Sequence, residues 1–377
     1  MTAAPARLQA LDALRGVAIA LVMVRHAVGE TLGAAGIVGV VMFFALSGYL
    51  ITGNLVDDHR RFGRIRFGRF YLHRALRLVP ALVLLLAVYG VVEGVFDATG
   101  ERHRTGIAIL LGISYTMNLP WIGDKGSPDL NHLWTLATEE QFYLLWPLLL
   151  LIALRRRLVV PLLVVAAVAV MGALAMTLAQ HAPEYVTVYT WPASWAVALV
   201  IGAAARLSAP RLRALLAAGT GRGAVLALLA LAGLLLLTAV PMAKYRLSGY
   251  LLVGPLVALL TVVIVVVVSE WRPSRWLTPL AALGTVSYAG YLWNLPIANW
   301  FAHLGAHPFW SIPATIAAAA ISWFAVERPI GILRRRLDAR WRSAPEAEDG
   351  PDRLHPDDAG DRGPSGAVAQ PVRAADS

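Results

Sequence analysis

Four ionisable residues share one membrane-length apolar stretch near the start of the chain. Leu11 to His26 reads LDALRGVAIALVMVRH and carries Asp12, Arg15, Arg25 and His26 among Ala, Val, Leu and Ile. Charge inside a hydrocarbon layer is costly and by default marks function. At about 1.5 Å per residue, Arg15 and His26 lie roughly 16 Å apart along a helix and almost on one face. That face offers a fixed cation and, about half the hydrocarbon thickness away, a base able to take a proton. Arg25 points about 100° away from His26 and is expected to snorkel to the headgroups.

A second stretch, HLWTLATEEQFYLLWP, sets Glu139 beside Glu140, with His132 and Thr135 on the Glu139 face of a helix. Two adjacent glutamates cannot both face lipid, so one is expected to point inward. A carboxylate buried alone prefers its neutral form, so a partner is expected. His26 is the expected partner, since a Glu139–His26 pair would orient the imidazole and set its tautomer. A polar clasp between two helices explains the same residues without chemistry.

The most basic stretch is RRFGRIRFGRFYLHRALRLVP, whose Arg74 and Arg77 are i, i+3 neighbours at a helix start. Two guanidiniums there suit phosphate oxygens, which they bind bidentately. A topogenic loop on anionic lipid accounts for the charge equally well. In VMFFALSGYLIT, Ser47 and Gly48 read first as a packing notch between helices. In LGTVSYAGYLWNLP, the residues Ser287, Tyr288, Tyr291 and Asn294 are polar groups on an apolar helix. Glu327 and Arg328 read as a helix-end ion pair or part of a site.

These stretches need a membrane scaffold. Of 377 residues, 58% are hydrophobic and 15% charged, against close to 25% charged in soluble domains. The fold class expected is all-α: a polytopic membrane bundle of about ten helices, at roughly 8–28, 36–53, 78–96, 133–154, 159–179, 191–207, 224–240, 250–268, 280–301 and 309–326. Loop charge alternates. Arg7, Arg60, Arg61, Arg64, Arg66, Arg69, Arg155–Arg157, Arg206, Arg211, Arg213, Arg222, Arg272, Arg275 and Arg334–Arg336 fall on one side, with only Arg102, Arg104, Lys125, Lys244 and Arg246 on the other. Both termini are therefore expected in the cytoplasm, in a multi-pass protein of the cell membrane. Gly106–Leu119 is too short to span and is expected to pack within the long outer loop. Residues 1–342 form one transmembrane domain, and 343–377, poor in large apolar residues, a disordered cytoplasmic tail. No cleavable signal is expected. The absence of cysteine excludes disulfides and an acyl-cysteine intermediate. No metal is expected from nine dispersed histidines. The net charge of +10 reads as positive-inside bias rather than nucleic-acid binding.

Five blocks in order resemble the acyltransferase-3 family of integral membrane O-acyltransferases. They are LDALRG with His26 following, GVVMFFALSGYLI, FYLHRALRLVP, HLWTLATEEQFYLLWP, and YLWNLP followed by VERP, together running from Leu11 to Pro329. The resemblance implies acyl transfer from cytoplasmic acyl-CoA, as a co-substrate with no bound cofactor, to a carbohydrate or glycoside hydroxyl. By position it makes His26 the catalytic base, with Arg15 and Glu139 as catalytic partners. It gives Arg74, Arg77 and Ser47 to the donor, and Asn294, Tyr288 and Trp134 to the acceptor and the oxyanion. Three departures stand out: Val41 where an acid is frequent, His73 for a frequent arginine, and Asn294 for a frequent histidine, which removes any second-histidine role.

Acetyl is the default acyl group. Cell-envelope glycan and a glycosylated metabolite such as a macrolide are both reasonable acceptors, and direct transfer and an acyl-imidazole on His26 are both open. The rival class is a transporter or flippase without acyl chemistry, since intramembrane Arg, His and Glu also serve substrate pathways. Against it stand the lack of internal repeats and the clustering of arginines at one mouth.

Overall fold

In hydrocarbon a backbone can satisfy its polar groups only within a helix or a closed barrel. The computed structural model describes residues 6–343 other than 121, 123, 124, 272 and 273, and among these every regular element is a helix. In order they are α1 (Ala6–Val28), α2 (Ala35–Phe62), α3 (Phe67–Gly94), α4 (Arg102–Ile113), α5 (Trp134–Arg156), α6 (Val159–Gln180) and α7 (Ala193–Leu207). There follow α8 (Ala209–Leu215), α9 (Gly221–Thr238), α10 (Gly254–Val268), α11 (Thr278–Thr285), α12 (Ser287–His303), α13 (Ser311–Ser322) and α14 (Arg328–Ser343), with short 3-10 and π turns between some of them. Contacts divide the chain into two units, Met1–Arg334, which holds the bundle, and Arg335–Ser377. The expected tail beyond Ser343 lies outside the described residues, as does Arg272.

Each expected span coincides with a helix or helix pair, but not all ten are long and apolar enough to cross a membrane. Seven described helices are, and α7 with α8 would add an eighth as a pair bent by 83°. The difference has local causes. Helix α1 has the length but carries Asp12, Arg15 and Arg25, α7 has only 15 residues, and the run expected at 280–301 divides at Val286 into α11 and α12. The short segment expected in the long outer loop forms α4, whose Ile109 packs over Gly90 of α3.

Two reciprocal glycine contacts lock the centre. A Cβ on Gly16 would lie 2.0 Å from the Leu280 carbonyl oxygen, and one on Gly284 would lie 1.7 Å from that of Asp12. Helices α1 and α11 thus touch backbone to backbone, next to the break at Val286. Likewise Gly48 abuts the Leu199 carbonyl and Gly202 the Ala45 carbonyl, at 2.0 and 2.1 Å for an added Cβ, joining α2 to α7. Without a hydrophobic drive between helices in lipid, such close backbone approach is a main source of cohesion. The notch expected at Gly48 is present. On α5, Leu144, Leu145, Leu148, Leu149 and Ile152 form an exposed apolar stripe suited to lipid.

Candidate active site

The central helices enclose a cavity of about 420 Å³. Its basic end is formed by Asp12 and Arg15 of α1, Arg74 and Arg77 of α3, and Gly284 and Thr285 of α11. Ser47 and Glu139 lie within it, and Val40, Phe43, Thr135 and Tyr291 line its apolar part. Lining positions recur every three or four residues on each helix: 284, 288 and 291 on α11 and α12, 40, 43, 47, 50 and 54 on α2, and 135, 139 and 143 on α5. That is the period of one helical face.

The two glutamates part company as expected, but neither meets His26. The Ser47 hydroxyl donates to Glu139 Oε1 at 2.7 Å. Glu140 is taken by Arg74, whose Nε donates to Oε1 and Oε2 at 2.8 and 3.0 Å and whose Nη2 donates to Oε1 at 2.6 Å. The same guanidinium lies 3.2 Å from the centre of the Tyr143 ring. Arg74 is thus committed to an internal ion pair, with 14% of its side chain exposed. Arg77 makes no ion pair with a described residue and is exposed in the cavity. It also lines a second, smaller cavity with Trp323, Glu327 and Arg334, where Glu327 ends a π turn. Of the expected phosphate pair, Arg77 is the arginine left open to a ligand.

His26 pairs with Asn294 instead. The ring Nδ1 hydrogen-bonds the Asn294 side-chain oxygen, which sets the tautomer: Nδ1 carries the proton and Nε2 keeps the lone pair. Asn294 is 1% exposed, and its Nδ2 has no partner among the described residues. The expected Glu139–His26 pair is therefore replaced by Glu139–Ser47 and His26–Asn294. The residue that departs from the family pattern is the one that holds the imidazole.

A further constellation was not foreseen. Residue 296 is proline, so the Leu292 carbonyl four residues earlier has no intrahelical N–H to accept. His132 fills the gap, its Nε2 lying 3.0 Å from that oxygen. Tyr291 Oη donates to the His132 carbonyl at 2.9 Å and accepts from the Thr135 hydroxyl at 2.8 Å. The blocks HLWT and YLWNLP are thus tied together by three bonds one turn from Asn294. The visible signal was the polar periodicity of each block; the missing link was the free carbonyl, which only Pro296 betrays.

The remaining expected positions fall elsewhere. Tyr288 lines the cavity and donates to the Leu78 carbonyl at 2.9 Å, about 9 Å along α12 from Asn294. Trp134 is 3% exposed, does not line the cavity, and packs edge-on against Phe44 and Tyr189. No group of three or more His, Asp or Glu side chains that could hold a metal occurs among the described residues.

The bundle and its polar cavity define a multi-pass membrane protein with an internal site. A family model described as an acyltransferase domain matches residues 8–327, and the chain belongs to that acyltransferase-3 family. Among curated proteins, YrhL of Bacillus subtilis is 30% identical over 355 residues, covering 85% of this chain and 54% of YrhL. Peptidoglycan O-acetyltransferase OatA of Listeria monocytogenes is 28% identical over 353 residues, covering 85% and 55%. O-acetyltransferase OatA of Staphylococcus aureus is 34% identical over 158 residues, covering 40% and 26%. The chain thus spans about half the length of the first two relatives and about a quarter of the third. No solved structure gives a significant match.

Proposed function

We propose that this chain is a membrane-embedded O-acyltransferase that moves an acyl group, acetyl by analogy with the named activity of its relatives, from acyl-CoA to a carbohydrate hydroxyl. Peptidoglycan is the favoured acceptor, since the Listeria relative is named for it. The observation that carries the reading is one cavity with Arg15 and Arg77 at its basic end and Tyr291 at its apolar end, one helical turn from Asn294, which hydrogen-bonds His26. Such a cavity suits a ligand with phosphates at one end and a thioester on a long arm at the other.

In this reading His26 Nε2 takes the proton of the acceptor hydroxyl as its oxygen attacks the thioester carbonyl. The carbon–sulfur bond breaks, and the leaving thiolate takes the proton back from the imidazolium. General-base help of this kind gives about 10²–10⁴-fold. Asn294 holds the imidazolium through Oδ1, and its unpartnered Nδ2–H is the nearest candidate donor to the oxyanion. Arg77 and Arg15 hold the CoA phosphates, and Glu139, fixed by Ser47, keeps the basic end from trapping anions too tightly.

The test is thiol release by purified protein in lipid discs, with acetyl-CoA and a panel of glycan and glycoside acceptors. Acceptor-dependent release, lost in His26→Ala, is the expected result. A transporter releases no CoA, so silence across all acceptors, with no acetyl-CoA binding, overturns the reading.

A further inference from the structure

The cavity stops short of the histidine it is proposed to serve. On α12 the lining face runs through Tyr288 and Tyr291, and Asn294 is the next residue on that face, yet neither it nor His26 lines the cavity. The residue between is Tyr291. It is 8% exposed, its ring meets Phe43 edge-on at 6.4 Å, and its hydroxyl is held at both lone pair and proton, by Thr135 and by the His132 carbonyl. Tyr291 and Asn294 are three residues apart, about 4.5 Å along the axis, so along α12 Tyr291 comes between the rest of the cavity lining and the Asn294 that holds His26.

We propose that Tyr291 is the bar between the donor cavity and His26, and that its displacement sets which acyl groups reach the imidazole. The part concerning acyl groups rests on the acyltransferase reading; the bar itself does not. Two hydrogen bonds and two ring contacts, with Phe43 at 6.4 Å and His132 at 5.4 Å, make the closed position favourable but reversible, because each neutral hydrogen bond contributes only about 1 kcal/mol net. A two-carbon acyl group needs a small displacement. A longer chain must also clear Phe43 and Thr135.

The sequence contains no cysteine, so one introduced thiol is the only one. The reporter is His26→Cys, with Asn54→Cys, which lines the cavity and is exposed, as the open control. A membrane-impermeant thiol reagent is applied to the face bearing the arginine-rich loops. With Tyr291 intact, modification of the His26→Cys thiol is expected to be at least tenfold slower than that of the control. Tyr291→Ala is expected to bring it to within a few fold of the control. Tyr291→Phe and Thr135→Val, which keep the bulk and remove the ties, are expected to give smaller increases and serve in its place if Tyr291→Ala does not fold. Equal rates with Tyr291 intact overturn the bar, and so does an unchanged rate in the variants. In a parallel arm with His26 present, Tyr291→Ala is expected to shift the ratio of butyryl-CoA to acetyl-CoA turnover upward by tenfold or more. An unchanged ratio overturns the acyl-selection part. If the thiol rates respond while the parent protein consumes no acyl-CoA at all, the bar stands and the acyltransferase reading falls.

Discussion

His26 and Glu139 divide the polar work of the site between two layers, and each is supported by a neutral residue rather than by the other. Asn294 leaves Nε2 of His26 free without placing a second charge beside it. Asn294→Ala is expected to lower kcat about 10- to 100-fold with little change in the KM for acyl-CoA, because it removes the tautomer lock and not the donor contacts. Steady-state kinetics on both substrates check this. The two arginines of the basic block separate in the opposite sense. Arg77→Ala is expected to raise the KM for acyl-CoA about tenfold at nearly constant kcat, the loss of roughly one charge-assisted hydrogen bond. Disruption of the Arg74 pair acts on stability instead. Glu140→Ala leaves a largely buried guanidinium without its carboxylate and is expected to cost about 3 kcal/mol, seen as a lower Tm in detergent. Glu140→Gln, which still accepts a hydrogen bond, is expected to cost less.

At the scale of the element, α12 shows how a helix defect becomes a site. Pro296 frees the Leu292 carbonyl, His132 occupies it, and Tyr291 and Asn294 are fixed on either side. Pro296→Ala restores an N–H that competes with His132 for that carbonyl. It is expected to leave Tm unchanged or raised while turnover falls, a combination that general loss of packing does not produce. Calorimetry and thiol release on one preparation check it. These relations mark the limit of the sequence. Each of the ten apolar runs fell on a helix or helix pair, because length and hydropathy are local properties, while α4 and α14 lie outside them. The pairing of Glu139 was misread because position along a helix estimates depth but not which helices lie side by side. Helix α2 lies against α5, so Ser47, read as part of a notch and as a donor contact, reaches Glu139 where His26 of α1 does not. The break at Val286 was hidden for a similar reason: Gly284 is ordinary until the Asp12 backbone lies against it. The arginine pair was legible as a cationic block, but its division into a tied and an open member depends on Glu140 and Tyr143 of another helix.

For the whole molecule, the opposite end of the bundle is closed by a polar clasp. Glu93 accepts from the Thr99 backbone N–H and hydroxyl at 3.0 and 2.9 Å and from Trp300 Nε1 at 2.7 Å, while Asp129 accepts from Asn299 Nδ2 at 2.7 Å. Helix α3, the long loop with the 3-10 turn ahead of α5, and the end of α12 are thereby joined. The alternation of loop charge predicts sidedness for the same assembly. Arg60→Cys is expected to react with an impermeant thiol reagent only from the arginine-rich face, and Lys125→Cys only from the other. Reaction of both from one side would break the alternation. The cavity has a further electrical consequence. Water and ions that enter as far as Glu139 carry the potential of their own compartment inward, so the membrane voltage drops mainly across the thin layer from Tyr291 outward. A proton gained by His26 from the opposite side would then move through most of the field, worth up to about 2.3 kcal/mol per 100 mV. The rate of a reaction at that imidazole is therefore expected to depend on the energised state of the membrane, and to differ between sealed vesicles and detergent.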